Sequence, residues 1–228
     1  MTPPDVRAFT VGPVQENCYI VRAGAESSRA VIVDPGEEAE RLLAAATALG
    51  VEIEAILLTH CHFDHIGAVA PVAAATGAPV YCPVIERGVL ADVMSWVPPG
   101  FGPFESYEAD HTVAGGERLA LAGLDIEVRF TPGHSPGHVT YAIDGVLLSG
   151  DVLFQGSVGR VDLPGGEWAT LERSIGELVA AYTPETVVYP GHMGVTTLGR
   201  ELDTNPFLTE LRATQRAGAS ASTPAPGR

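Results

Sequence analysis

Basic residues, cysteines and long apolar runs are all scarce in this sequence of 228 residues. Lysine and arginine together number 13 against 28 aspartates and glutamates, which gives a net charge of −15. Binding to a phosphate backbone requires clustered basic residues, so we expect no nucleic-acid partner. No run approaches the roughly 18 apolar residues of a membrane span, and the N-terminus lacks the basic and apolar regions of a secretory signal. We therefore expect no membrane partner either.

The few cysteines indicate a reducing compartment. Cys18, Cys61 and Cys82 are widely spread and odd in number, so the sequence predicts no disulfide framework and a cytoplasmic location. Cys61 lies between two candidate metal ligands, but its side chain should face the opposite way from theirs. We interpret Cys61 as a small buried residue.

Length and composition predict a single domain. A hydrophobic share of 46% over 228 residues is enough for one sizeable core, and we assign residues 1–211 to it. From residue 212 onward the sequence is rich in alanine, serine, threonine and proline and has almost no apolar mass to bury. This composition predicts a disordered tail over residues 212–228.

Four potential metal ligands occur within six residues. They are His60, His62, Asp64 and His65. The apolar run at residues 55–58 is typical of a buried strand, and the Ala-rich stretch after the ligands has helical spacing. Imidazole and carboxylate suit Zn, Fe or Mn. His60 and His62 point the same way in extended chain, whereas Asp64 and His65 can reach a second position, so one loop can serve two metals. The alternative is solvated histidines beside an N-capping Asp64.

Further motifs accompany this cluster along the chain. They are Asp-Pro-Gly at residues 34–36, Thr-Pro-Gly-His ending at His134, Ser-Gly-Asp ending at Asp151 and Tyr-Pro-Gly-His ending at His192. Together with the pattern His-x-His-x-Asp-His, this order resembles the metallo-β-lactamase superfamily over about residues 6–208. Residues 153–160 and 204–208 are most similar to the small glyoxalase II-like hydrolases of that superfamily.

The order of predicted elements fits the same family. Each half has short β-rich segments followed by helices, which favours a sandwich of two sheets with helices outside. Asp144-Gly145 between two apolar segments predicts a two-residue hairpin, and residues 167–182 have the spacing of an amphipathic helix. The resemblance implies an α/β fold, a four-layer αβ/βα sandwich of two facing mixed sheets, with metals at the edge between the halves.

The resemblance also implies a ligand set and a chemistry. One metal is expected on His60, His62 and His134, a second on Asp64, His65 and His192, and Asp151 between them. Zn is favoured, and Fe or Mn suit the same ligands. Two such ions lower the pKa of a shared water, and the hydroxide would attack an activated acyl carbonyl. Asp64, which could orient the hydroxide, and Asp151 are the expected catalytic residues.

The implied substrate is a thioester of the S-2-hydroxyacylglutathione type. Glyoxalase II holds glutathione with a Lys and a Tyr soon after its bridging Asp, whereas this chain has Arg160 and Asp162 there. Arg160 is expected either to contact a substrate carboxylate or to form a structural ion pair with Asp162. Three alternatives stay open: a mono-iron persulfide dioxygenase, which shares the Gly-Arg-x-Asp segment, a lactonase, and a non-catalytic metal-binding scaffold. The bridging Asp151 argues against a β-lactamase.

The sequence leaves the roles of several residues near these motifs undecided or unassigned. Asp34 could hydrogen-bond a metal ligand, or it could only form the turn before Pro-Gly. Residues 96–104, rich in Pro, Gly and aromatics, could form a lid over the site or plug a satellite core. His111 and His138 are given no role in the site.

Overall fold

The apolar runs of the first half form a six-stranded sheet in a computed structural model that describes residues 3–213. Its strands, adjacent in chain order, are β1 (Asp5–Val11), β2 (Glu16–Arg22), β3 (Arg29–Val33), β4 (Glu52–Leu57), β5 (Val80–Pro83) and β6 (His111–Val113). The first three form an antiparallel meander, and β3 to β6 run parallel. His111, which we gave no role in the site, begins the edge strand β6.

Four helices accompany this sheet. They are α1 (Ala39–Leu49), α2 (Phe63–Ile66), α3 (Val69–Thr76) and α4 (Arg87–Ala91), with a 3₁₀ turn at Val93–Ser95. α1 ends at Gly50, because its φ of 67° lies in the left-handed region that glycine adopts without steric cost. The helix predicted after the metal-ligand motif is divided into α2 and α3, since Ala68 leaves helical geometry with φ −102° and ψ 6°.

The second half forms a sheet of its own. Its elements in chain order are β7 (Arg118–Leu121), β8 (Leu124–Phe130), β9 (Val139–Ile143), β10 (Val146–Gly150), the small hairpin β11 (Leu153–Phe154) and β12 (Ser157–Val158), α5 (Trp168–Ala181), β13 (Val187–Pro190), β14 (Thr196–Thr197), α6 (Leu198–Thr204) and a 3₁₀ turn at Pro206–Leu208. The sheet order is β14-β13-β10-β9-β8-β7, with β13 parallel to β10 and the other pairs antiparallel. Asp144 and Gly145 turn the β9–β10 hairpin with φ of 36° and 81°, as the Asp-Gly pair predicts.

Alternation of side chains along the central strands builds the layers. On β3, Ile32 faces a core shared with α1 and α3, whereas Val31 and Val33 belong to the core between the two sheets. On the other side of the second sheet, Leu147 belongs to a third core that includes Ile175 of α5. The layers therefore run helix, sheet, sheet, helix, and the predicted four-layer αβ/βα sandwich is confirmed.

Arg212 and Ala213 of the predicted tail lie within the described residues, and the boundary of the tail stays a prediction. Arg212, which we assigned to the tail, donates from its guanidinium to the carbonyl oxygens of Leu202 and Asn205, the latter at 3.0 Å. A composition argument misses this contact because it counts apolar mass and not a cation that satisfies carbonyls at a helix end. Residues 214–228 lie outside the described residues, so the tail stays a prediction there. Within residues 3–213, no helix is long and apolar enough to cross a membrane.

Candidate metal centre

Seven side chains meet at one edge of the sandwich, where strands of both sheets end. They are the predicted ligands His60, His62, Asp64, His65, His134, Asp151 and His192. The first four follow β4, and the last three follow β8, β10 and β13. Because β10 and β13 are parallel neighbours, their carboxyl ends lie side by side, and the Gly191 amide donates to the Gly150 carbonyl oxygen at 2.8 Å. The topology thus brings together residues that lie far apart in sequence.

Three imidazoles form the first donor group. His62 Nδ1 lies 3.1 Å from His60 Nε2 and 2.8 Å from His134 Nε2. The three ligand atoms all lie within 4.8 Å of one another. Nitrogen atoms that converge in this way, one from each ring, are arranged as ligands to a single cation.

Asp64, His65 and His192 form the second donor group. His192 Nε2 lies 3.2 Å from Asp64 Oδ2, and His65 Nε2 lies 3.8 Å from the same oxygen. Their ligand atoms also lie within 4.8 Å of one another. The group needs glycine at position 191, where a Cβ atom would lie 2.2 Å from an Asp151 carboxylate oxygen and 2.6 Å from His65. This contact explains the Pro-Gly-His sequence at the end of β13.

The Asp151 carboxylate lies between the two groups. Its Oδ2 is 3.5 Å from His134 Nε2 in the first group and 3.6 Å from His192 Nε2 in the second. Its Oδ1 is 3.4 Å from His65 Nε2. Asp151 is 6% exposed, so water contributes little and these imidazoles stabilise its negative charge.

Hydrogen bonds at the second ring nitrogen fix the orientation of four histidines. The Nδ1 atoms of His60, His65, His134 and His192 lie 2.7–3.2 Å from Thr59 Oγ1, Asp34 Oδ2, the Arg160 carbonyl oxygen and the Gln15 carbonyl oxygen, respectively. Each Nδ1–H can donate to its partner, which leaves Nε2 with a free lone pair aimed into the site. The rings are thus prepared to coordinate a cation before one binds.

Four buried side-chain atoms have no hydrogen-bond partner among the described residues. Two are the carboxylate oxygens of Glu16, and the other two, His65 Nε2 and Asp151 Oδ1, face each other at the centre. Each unsatisfied buried polar atom lowers the free energy of unfolding by about 1–3 kcal/mol. Two such atoms that face each other therefore indicate that a bound group lies between them in the functional protein. Divalent cations supply that group, because imidazole and carboxylate are the ligands that Zn, Fe and Mn accept. The residues present therefore fit a metal centre.

The two groups differ in electrostatics. In the first, burial lowers the pKa of His62 to about 4 and that of His60 well below its usual value, and neighbouring imidazoles add to both effects. In the second, burial opposes protonation of His65 and His192, but the Asp64 and Asp151 carboxylates raise both pKa values. Protons therefore compete with a cation more strongly at the second group.

The contacts of Asp34 show that it hydrogen-bonds a candidate metal ligand and does not serve only to form the turn before Pro-Gly. Its Oδ1 accepts from the Thr59 amide at 2.7 Å, and its Oδ2 accepts from the Thr59 hydroxyl at 2.6 Å and from His65 Nδ1 at 3.0 Å. Asp34 thus hydrogen-bonds a residue of the second donor group and fixes the chain just before the first.

Glu16 is a neighbour of His65 that we did not predict from the sequence. It is fully buried, and its Oε1 lies 3.7 Å from His65 Nδ1.

His138 supports Asp151, although we gave it no role from the sequence. Its Nε2 accepts from the Asp151 amide at 3.0 Å, and its Nδ1 lies 3.1 Å from the Thr131 hydroxyl. Its ring stacks on His60 with centroids 4.9 Å apart. The signal in the sequence was its position four residues after His134, on the same tight Pro-Gly segment.

Glu86 joins the two loops that carry the first donor group. Its Oε2 accepts from the Cys61 amide at 3.3 Å, and its Oε1 accepts from the Ser135 hydroxyl at 2.7 Å and the Gly137 amide at 2.8 Å. Cys61 separates His60 from His62, and its side chain is buried as predicted. No local pattern marks Glu86, because its partners lie 25 to 51 residues away.

A cleft of about 980 Å³ opens over the donor groups. Arg160 lines it, and its guanidinium pairs with Asp162 through two contacts of 2.7 Å. The ion pair of Arg160 with Asp162 is therefore present, and contact of Arg160 with a substrate stays a prediction.

Residues 96–104 have features of both a lid over the site and a plug of a satellite core. Trp96 lines the cleft, whereas Phe101 packs on Phe63 with ring centroids 4.7 Å apart.

A four-layer sandwich with His and Asp donor groups at one edge is the architecture of metallo-hydrolases. The model of the metallo-beta-lactamase superfamily matches residues 11–192, and the chain belongs to this superfamily. The probable metallo-hydrolase YqgX of Bacillus subtilis is 40% identical over 209 residues, which cover 89% of this chain and 96% of the relative. The hydroxyacylglutathione hydrolase GloC of Haemophilus influenzae is 32% identical over 209 residues, covering 90% and 98%.

Solved structures agree with this assignment. The BLEG-1 B3 metallo-beta-lactamase superposes with a TM-score of 0.85 at 40% identity and covers 90% of this chain and 100% of its own. TTHA1623 in a di-iron-bound form superposes with a TM-score of 0.72 at 42% identity and covers 89% and 100%. The fold is thus shared over nearly the whole described chain.

Proposed function

We propose that the chain binds two divalent metal ions and hydrolyses an activated acyl compound. His60, His62 and His134 would hold one ion, Asp64, His65 and His192 the other, with Asp151 shared between them. The observation that carries this proposal is the buried Asp151 carboxylate, which faces imidazoles of both donor groups while Asp151 Oδ1 and His65 Nε2 lack hydrogen-bond partners among the described residues. Zn is the proposed ion, and the di-iron form of a structure at 42% identity supports Fe as the alternative.

Bound ions of this kind supply a water of lowered pKa and polarise a carbonyl oxygen. The chain's own residues prepare the reaction around them. Burial raises the pKa of Asp64, but the His65 and His192 imidazoles lower it overall, so Asp64 is a carboxylate at neutral pH. As a hydrogen-bond acceptor at the floor of the cleft, Asp64 would orient the attacking water. No serine or cysteine nucleophile is required.

We propose a thioester as the substrate class, as in glyoxalase II. The similarity to a hydroxyacylglutathione hydrolase over 90% of the chain supports it. A cytoplasmic location is part of the same proposal, since thioesters of small thiols are intracellular compounds. The Arg160 guanidinium, at the cleft wall, is the proposed contact for a carboxylate of a thiol carrier.

The test is hydrolysis of S-D-lactoylglutathione by purified protein reconstituted with Zn, Mn or Fe. We expect turnover that depends on the metal and is lost in His192→Ala. Trp168→Ala serves as the control because Trp168 packs on Phe207 and does not line the cleft. Turnover that survives both metal removal and His192→Ala would contradict the proposal.

Opening of a lactone ring is the second candidate. A structure at 40% identity is a B3 metallo-beta-lactamase, so β-lactam opening is tested beside it, although the position of Asp151 between the donor groups argues for the lactone. A ring carbonyl would use the same centre, and nitrocefin and an acyl lactone test it directly. A mono-iron persulfide dioxygenase remains the oxidoreductase alternative. One iron does not require a complete second donor group, so metal content of one ion per chain together with oxygen consumption would favour it.

A further inference from the structure

Several exposed apolar side chains of the described residues lie together in the cleft. Ten large apolar side chains are exposed in the described part of the chain, and four of them line this cleft. They are Val14, Ile85, Trp96 and Met193, with Ile85 and Trp96 each 56% exposed. Each comes from a different segment of the chain, so no single local pattern produces the cluster. Exposed apolar surface gathered at a concave site is typical of a ligand-binding surface.

The charged side chains of the cleft offer little to an anionic ligand. Among the lining residues described, Asp64, Asp151 and Glu86 are acidic, and the one guanidinium is that of Arg160. Arg160 is engaged by Asp162 through two contacts of 2.7 Å. Glutathione carries two carboxylates and one ammonium group, and Arg160 can pair with one of the carboxylates at most. The cleft therefore favours binding through apolar contacts over binding through charge pairs.

We propose that the cleft binds a straight aliphatic acyl chain against Trp96 and Ile85, which makes the substrate a thioester of an apolar carboxylic acid. This inference rests on the proposed function for the position of the scissile carbonyl over the donor groups. Biological thiol carriers are polar, so the apolar half of such a thioester is its acyl chain. The donor residues His62, Asp64 and Asp151 line the same cleft, so a chain lying on Trp96 is continuous with the reaction site.

Binding is tested first, without any reaction. Thioethers of N-acetylcysteamine with alkyl chains from methyl to octyl have no scissile bond and no charge, and their dissociation constants are measured by calorimetry on metal-free and metal-loaded protein. We expect each added methylene to tighten binding about threefold to fourfold, the factor that corresponds to ~0.8 kcal/mol per buried methylene. Trp96→Ala should weaken octyl binding about tenfold or more. Trp168→Ala, on a tryptophan outside the cleft, should leave it unchanged.

Hydrolysis is tested next with acetyl and octanoyl thioesters of N-acetylcysteamine and metal-loaded protein. We expect kcat/KM for octanoyl to exceed that for acetyl by about 100-fold or more, and Trp96→Ala to lower this ratio. Dissociation constants that do not change with chain length would overturn the inference, and so would equal rates for the two thioesters with no effect of Trp96→Ala. Chain-length-dependent binding without hydrolysis of any thioester would support the apolar site and reject the proposed function.

Discussion

Replacing Glu86 by glutamine should weaken the first donor group from outside it. Glu86 is 4% exposed, and its carboxylate accepts three hydrogen bonds that join the loop of Cys61 to the loop of Ser135 and Gly137. In Glu86→Gln the amide oxygen can take the place of Oε1 and keep the two bonds from Ser135 and Gly137. The amide nitrogen then faces the Cys61 amide, donor against donor.

The size of the effect follows from these contacts. One buried N–H left unsatisfied costs about 1–3 kcal/mol, and two charge-assisted bonds that become neutral lose about half their strength. We expect the free energy of unfolding of the metal-free protein to fall by about 2–4 kcal/mol. Because the two loops carry His60, His62 and His134, affinity for the metal in that group should fall about 10- to 100-fold.

The assay is urea unfolding of the metal-free protein, followed by Zn titration against a chelator of known affinity. Glu177→Gln is the matched control, because Glu177 lies on the exposed side of α5. We expect the control to change neither quantity. A Glu86→Gln protein that unfolds and binds Zn like the wild type would refute the account of how these loops are held together.

Three further predictions concern the residues between and beside the donor groups. Asp151→Ala should abolish turnover and weaken both metals while the fold survives, as circular dichroism, kinetics and metal content would report; full activity would refute the shared role of Asp151. His138→Phe keeps a ring against His60 but removes the acceptor of the Asp151 amide, so the free energy of unfolding should fall by about 1–3 kcal/mol. An unchanged value would show that the amide finds another partner. On acidification to about pH 5, His65 and His192, with raised pKa values, should take up protons while His62, with a pKa of about 4, stays neutral. Metal should therefore leave the second group first, which metal analysis after dialysis would detect, and simultaneous loss would contradict the assignment.

The layers and the donor residues could both be predicted from the sequence, but from different kinds of signal. Apolar runs and the Asp144-Gly145 turn are local signals, and they define strands whose burial on both faces requires a sandwich. The cluster of donors from His60 to His65 is visible in the sequence itself, because imidazole and carboxylate side chains recur there at close spacing. The grouping of His62 with His134, which lie 72 positions apart along the chain, came only from the resemblance to the metallo-β-lactamase superfamily.

Other features depend on contacts that no local pattern records. Glu86 and His138 act through bonds to backbone amides, and a backbone amide is the same at every position of a sequence. The strands β11, β12 and β14 contain two residues each, too few for any periodicity to appear. The contact of Arg212 with a helix end was not predicted because a guanidinium that satisfies helix carbonyls leaves no apolar signal. Long-range polar contacts therefore required the structure.

The most direct test of the central claim is the anomalous diffraction of crystals grown with Zn and measured on both sides of the Zn absorption edge. The account predicts two peaks per chain, one among His60, His62 and His134 and the other among Asp64, His65 and His192, with the Asp151 carboxylate reaching both. A single peak, or peaks away from these side chains, would contradict the two-metal centre.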